Sequence, residues 1–388
     1  MTKPNLYSID HARNLAKSYL PKVVFDYIDG AADDEITMRL NRSAFDEVYF
    51  NPKMAQGKFV PNLKVKILGY ELDLPVLLAP CGLVRVMHPD GAVGVAKAAV
   101  NKNTVSVLST VAGSSIAEVA TVDSNLLWYQ LYSSNGRAEI ESVIDELNSH
   151  KIEVLVVTVD TPALGNRLRD IENGVSTPLR INSSNAIQLG YQVLSKPRWT
   201  YNMLKDGIKL FEKSKDLRED NRGNSGKDML QMAASPFSWD DIKWIKQIWN
   251  KKLVVKGILS GSDAKKAVDS GADAVVISNH GGRQLEGVSP TFMMLPEIVS
   301  SVNKNAEVIL DSGIRRGSHV LKALALGANA VMIGRPYLYG LAVNGQKGVE
   351  NILEIFKTEL IRDMNLLGCK NLEALDETFL IKKSQFQF

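Results

Sequence analysis

His280 and Arg283 stand three residues apart in AVVISNHGGRQLEGV (274–288), where an apolar run ends on Ser278-Asn279 and a glycine pair follows. Imidazole titrates near neutral pH, which makes His280 the natural general base of the chain. Arg283 is a planar, fork-shaped donor suited to holding a carboxylate bidentately. Arg167, in DTPALGNRLRD, is a second such donor. Two arginines near a histidine describe a clamp for an anionic substrate. Asp160, which closes VLVVTVD, could hold the other imidazole nitrogen and stabilise the cation. Its competing role is a helix N-cap in TVDTP. His11, His88, His150 and His319 fall in helical, loop or turn patterns and make weaker bases.

A different chemistry is written in DSGIRRGSHVLKALALGA and AVMIGR. These place Gly313, Arg315, Gly334 and Arg335 after two successive apolar runs. Backbone amides at such positions, beside a helix N-terminus, form a phosphate site. Lys256, ending LVVKG, adds a fixed positive charge; the alternative is a lysine snorkelling from a rim.

These residues end elements of one kind. Short β-branched runs occur at 75–80, 104–110, 126–132, 154–160, 253–257, 274–279, 307–313 and 330–335. Amphipathic segments such as NGRAEIESVIDELNSHK separate most of them. Apolar-throughout strands alternating with helices mean a parallel sheet covered on its outer face. Eight of them predict an α/β fold of (β/α)8 TIM-barrel type, whose chemistry sits at the C-terminal strand ends. Those ends carry Ala79-Pro80, Ser109, Gln130, Tyr132, Thr158, Asp160, Lys256, Ser278, Asp311 and Arg335, a polar set for residues that follow apolar runs. The chain reads as one domain, 1–388, with the barrel at about 71–370. A helical extension precedes it, and an insertion at about 170–240 follows the fourth strand as a lid or docking element. The polar core of that insertion, 213–228, reads as a plain loop.

Composition narrows the classes. Apolar residues make up 45% and charged residues 23%, ordinary for a globular protein. A net charge of +3 gives no reason to expect nucleic acid. Cys81 and Cys369 lie far apart without metal spacing, so neither a disulfide framework nor a metal site is expected. The N-terminus lacks an apolar signal core, no run reaches the roughly 20 residues of a membrane span, and KKSQFQF is no peroxisomal address. The expectation is a cytoplasmic protein.

With SNHGGRQL, TVDTP, VVKG, DSGIRRG and IGRP in this order, the chain resembles the FMN-dependent 2-hydroxy-acid oxidases and dehydrogenases over nearly its whole length. The resemblance implies FMN across the barrel mouth, its phosphate on Gly313, Arg315, Gly334 and Arg335. Ala79, Pro80, Ser109, Gln130 and Thr158 would meet the ring system, and Ser278 and Asp311 would lie along the cofactor. Lys256 would face the ring's N1 edge. Tyr27, Tyr132, Arg167 and Arg283 would hold the substrate, with His280 as base and Asp160 behind it. The implied reaction converts a 2-hydroxy acid to a 2-oxo acid. The resemblance also implies a homo-oligomer, with a tetramer as the family tendency.

Departures from the glycolate oxidases refine this. Val111 stands where they have Trp, which predicts room for a larger substrate side chain. Pro80-Cys81-Gly82 and the KPRWTYNML segment (196–204) are similar to the lactate and mandelate dehydrogenases, whose electrons go to a quinone or cytochrome rather than oxygen. In some of those enzymes this insertion docks to a membrane. Residues 181–235 carry nine Lys/Arg against six Asp/Glu, a weak lean toward anionic lipid. The alternatives are an oxidase that makes H2O2 from O2, an FMN barrel acting as an isomerase or on a peptide, and a non-catalytic flavin-binding protein.

Overall fold

A computed structural model describes residues 5–132, 136–174, 190–216 and 236–386. Eight parallel strands close into a barrel: β1 (Val76–Leu78), β2 (Ser106–Ser109), β3 (Leu127–Leu131), β4 (Val154–Thr158), β5 (Lys252–Ile258), β6 (Ala274–Ile277), β7 (Glu307–Leu310) and β8 (Ala330–Ile333). They are the eight runs of the sequence, most of them cut short by one to three residues at the C-terminal end. Residues such as Pro80, Tyr132, Asp160 and His280 therefore stand beyond the strands, in the loops of the mouth.

Period-two burial divides each strand between two cores. Leu77, Val107, Trp128, Val156, Val254, Val276, Ile309 and Met332 point inward and fill the barrel. Leu78, Leu108, Tyr129, Val157, Val255, Val275, Leu310 and Ile333 point outward to the helices. Each fully buried aliphatic side chain of this kind contributes about 1.5–3 kcal/mol. The N-terminal end of the barrel is plugged by a hairpin, Val65–Ile67 with Tyr70–Leu72, whose Leu68 N–H donates to the Glu307 carboxylate at 2.9 Å.

The region before the barrel is more ordered than its sequence suggests. Beyond helices Ile9–Tyr19 and Lys22–Asp29, it forms a third helix, Ile36–Ser43, and a strand, Val48–Phe50, antiparallel to Leu380–Lys382. The first helix packs on helix Arg335–Leu367 outside the barrel, while the turn after the second helix and the third helix itself lie against the loops of the C-terminal mouth. Ala32 N–H donates to Gly282 O at 2.9 Å, and Asn41 and Asn279 exchange two amide hydrogen bonds of 2.8 Å in the interior. Gly313 permits the approach of the third helix: a Cβ there would lie 2.0 Å from Asn41 O.

The insertion after β4 contributes helices Leu168–Glu172 and Pro197–Asp216. Arg85, after β1, holds Asp206 through Nε at 2.7 Å and Nη2 at 2.8 Å, and Trp199 Nε1 donates to Val86 O at 2.8 Å. Most of the 213–228 stretch lies outside the described residues. Among the described residues, no helix is long and apolar enough to cross a membrane, and no cluster of potential metal ligands occurs.

Candidate active site

The barrel mouth opens into a cleft of about 1140 Å3, its open entrance included. It is lined by Tyr27, Ala79, Pro80, Tyr132, Arg167, Lys256, His280, Arg283, Asp311, Gly313, Arg315, Gly334 and Arg335. These are predicted residues, brought together from eight separate segments. Ser109, Gln130, Thr158, Ser278 and Asp160 do not line the cleft themselves. Asp160 sits behind His280, Ser278 behind Lys256, and the other three are buried at the ends of β2, β3 and β4.

His280 Nδ1 lies 3.1 Å from Asp160 Oδ1, and Nε2 lies 3.4 Å from the Tyr132 hydroxyl. The carboxylate fixes the tautomer with the proton on Nδ1, leaving the Nε2 lone pair toward the cleft. Burial pushes the Asp160 carboxyl up, but His280 and Lys256 outweigh it and hold the group below its ordinary value. Asp160 therefore stays ionised. It caps no helix, since the next one begins at Leu168. Gly257 makes its placement possible: φ is +108°, and a Cβ there would fall 2.7 Å from Asp160 Cβ.

Lys256 does not snorkel. It is 4% exposed, with Nζ 2.7 Å from Ser278 Oγ and 2.9 Å from Asp311 Oδ2. Burial lowers its pKa, yet Asp311 and Asp160 more than compensate and the net shift is upward, so the charge persists.

The arginines are short of anionic partners. Arg283 Nη1 donates to the carbonyls of Tyr27 at 2.7 Å and Gly30 at 2.8 Å, with its guanidinium 5.1 Å from the Tyr27 ring centroid. Arg335 donates to Gly281 O and Gly30 O, which braces the β6 loop against the N-terminal helices and leaves Nε unpaired. Arg315 is buried, and burial lowers its pKa. Arg167 is pushed down to about 10, first by the neighbouring Arg283 and then by burial. Among the described residues, none of these four forms an ion pair with a carboxylate. Uncompensated, partly desolvated cations in one cleft constitute an anion site.

The cleft also fits the FMN that the resemblance implies. Gln130 Nε2 and Thr158 Oγ1 are buried without a partner, while Ser109 Oγ donates to Gln130 Oε1 at 2.7 Å. Orphaned polar groups at adjacent strand ends are expected where a ligand's own polar edge completes them. Arg315 and the N-terminus of helix Arg335–Leu367 suit the phosphate.

Residues that sequence reasoning left out also line the cleft, among them Thr161, Leu164, Gln284, Ser312 and Leu338. Gln284 Nε2 donates to Asp160 O at 3.1 Å and Ala163 O at 2.8 Å, tying the Arg283 loop to the Arg167 loop. The available signal was adjacency: Gln284 follows Arg283 and Ser312 follows Asp311.

The profile of the family described as FMN-dependent dehydrogenase matches residues 16–382. The chain is 39% identical over 373 residues to an L-lactate oxidase of Nostoc sp., covering 94% of this chain and 95% of that one. It is 37% identical over 378 residues to an L-lactate dehydrogenase of Pseudomonas syringae, with 95% and 97% covered. Among solved structures it resembles the monotopic membrane protein (S)-mandelate dehydrogenase, at a TM-score of 0.86 and 31% identity, covering 98% of this chain and 100% of the other.

Proposed function

The chain belongs to the FMN-dependent dehydrogenase family, and from that membership we propose that it oxidises an L-2-hydroxy acid of lactate or mandelate type to the 2-oxo acid. The observation that carries this reading is the Asp160–His280 pair facing a cleft with two unpaired arginines, at 3.1 Å between carboxylate and imidazole. Arg167 and Arg283 bind the substrate carboxylate, and Tyr132 and Tyr27 orient the hydroxyl. His280 Nε2 takes up a proton from the substrate, and Asp160 stabilises the resulting imidazolium. Lys256, charged and buried, offsets negative charge that gathers beside it. Bound FMN supplies the two-electron acceptor. Ala79, Pro80, Ser109, Gln130, Thr158, Lys256, Ser278 and Asp311 would hold its ring and chain, and Gly313, Arg315, Gly334 and Arg335 its phosphate.

The finer reading concerns the acceptor. Gly82 stands where a side chain would be crowded: a Cβ there would meet Val111 Cγ2 at 3.0 Å and the Tyr27 hydroxyl at 3.2 Å. This glycine supports a dehydrogenase that passes electrons to a quinone or cytochrome, while the L-lactate oxidase relative supports oxygen as the competing acceptor. The decisive experiment is the visible flavin spectrum under anaerobic additions of L-lactate, L-mandelate and glycolate, followed by air. Bleaching by one acid with slow recovery in air is expected. Fast recovery with peroxide would replace the dehydrogenase by an oxidase, and a flavin that no hydroxy acid bleaches would end the reading.

Two further features belong to the same proposal. Tyr191, Leu194, Tyr201 and Leu204 are exposed on the insertion, which supports peripheral membrane contact there. The family tendency supports a homo-tetramer, which sedimentation velocity on the holoenzyme checks.

A further inference from the structure

The turn that carries His280 is held in a conformation its histidine does not favour. His280, Gly281 and Gly282 have φ of +57°, +68° and +75°. Glycine takes this left-handed region freely, whereas a residue with a Cβ does not. Such a backbone persists where its surroundings over-determine it. Here the first two N–H groups are taken by side-chain oxygens, His280 by Ser278 Oγ at 3.1 Å and Gly281 by Ser312 Oγ at 3.0 Å, while Gly282 is shared between Asn279 O at 2.9 Å and Asn279 Oδ1 at 3.2 Å. Ser278 and Asn279 precede the turn directly. Ser312 reaches it from the end of β7.

Ser312 is itself strained, with φ of +75° on a residue where glycine would be at ease. What the serine adds is its hydroxyl. That hydroxyl has a single proton, and it goes to Asp311 Oδ1 at 2.7 Å. Ser278 likewise gives its proton to Asp311 Oδ2 at 2.9 Å. With both protons committed to one carboxylate, the lone pairs of both hydroxyls are aimed at the amides of His280 and Gly281. We propose that Ser312, oriented by Asp311, is a positioning residue for His280: it pins the left-handed turn so that the imidazole stays between Asp160 and the substrate. This rests on the reading of His280 as the base.

Three variants separate the hydroxyl from the strain. Ser312→Gly removes the hydroxyl and relaxes the backbone. Ser312→Ala removes the hydroxyl and keeps the strain. Ser312→Asn supplies another oxygen on a residue that tolerates this region. The glycine and alanine variants are expected to lose roughly tenfold in kcat, with the hydroxy-acid KM and flavin content near wild type. Their amides at 280–282 should exchange hydrogen several-fold faster, about what loss of one hydrogen bond allows, and asparagine should recover part of both. Wild-type kcat and exchange in the glycine variant would overturn the proposal. So would a loss confined to alanine, because strain and not the hydroxyl would then be the cause. His280→Ala is measured alongside: turnover surviving there defeats the base assignment, whereas the exchange rates test the clamp without reference to turnover.

Discussion

Arg167 and Arg283 are held near each other by the fold rather than by an anion, and their titration should report it. Arg167 is lowered to about 10 because Arg283 repels its proton and burial removes water. The charge of a bound carboxylate offsets both effects, so binding and protonation of Arg167 favour one another. The sign follows: affinity for an anionic ligand is full while the guanidinium is charged and falls as pH rises through its free value. For oxalate, which cannot be oxidised by this route, the Kd is expected to be flat at neutral pH. Above about 10 it should rise roughly tenfold per pH unit. Arg283→Met should weaken oxalate at neutral pH by about 10- to 100-fold, the loss of a charge-assisted contact. The same substitution removes the repulsion and should move the alkaline break upward. A break that stays where it was would show that Arg283 is not what lowers Arg167.

At the scale of elements, Asp29 decides how the roof of the cleft is fastened. It ends the helix that carries Tyr27 and accepts from Arg13 Nη2 at 2.7 Å, Arg169 Nη1 at 3.0 Å and the Tyr339 hydroxyl at 2.7 Å. One carboxylate thus joins the first two helices, the insertion and the helix after β8. Burial pushes its pKa up, but Arg13 and Tyr339 outweigh that and bring it from 3.8 to about 2. Such a depressed carboxylate stabilises the fold above its unfolded value and loses that stabilisation as pH falls through the folded one. Asp29→Asn should cost about 2 kcal/mol at neutral pH, read as a lower Tm. The gap from wild type should close as pH drops from 3.8 toward 2; a gap independent of pH would contradict the linkage. None of this network was visible in the sequence, because its members lie up to about 300 positions apart and, Tyr339 aside, each reads as a surface charge. The barrel was legible for the opposite reason, since each strand is a short, locally marked apolar run. The hairpin at 65–72 and the pairing of 48–50 with 380–382 escaped because three-residue strands show no periodicity. His280, Asp160 and the arginines were legible because they end marked strands or sit in glycine-loosened motifs. The clamp from Ser312 was not, since it depends on a φ that no residue type announces.

At the scale of the whole molecule, two helical stretches of the insertion expose apolar side chains. Tyr191 and Leu194 are 77% and 76% exposed, and Tyr201 and Leu204 are 66% and 64% exposed. Each pair is spaced by three, so each lies on one helical face. The stretch is tied to the rest of the molecule by Arg85 on Asp206, Trp199 on Val86 O, and Lys196 on Ser18 O at 2.7 Å. Exposed aromatic and aliphatic side chains on a rigid mount, with a small excess of Lys/Arg across 181–235, fit a headgroup boundary. Electrostatic attraction adds about 1 kcal/mol per net cation near anionic lipid, so apolar insertion must carry most of the affinity. The holoenzyme is therefore expected to sediment with phosphatidylglycerol vesicles and more weakly with phosphatidylcholine. High salt should reduce the binding without abolishing it. The double substitution L194D with L204D puts two anions on the face and should leave the protein in the supernatant, while substrate still bleaches its flavin. That retained bleaching separates lost docking from lost folding. If the double variant pellets as wild type does, these side chains are not the contact; if wild type stays in solution with anionic vesicles at low salt, the membrane proposal falls and the hydroxy-acid chemistry stands untouched.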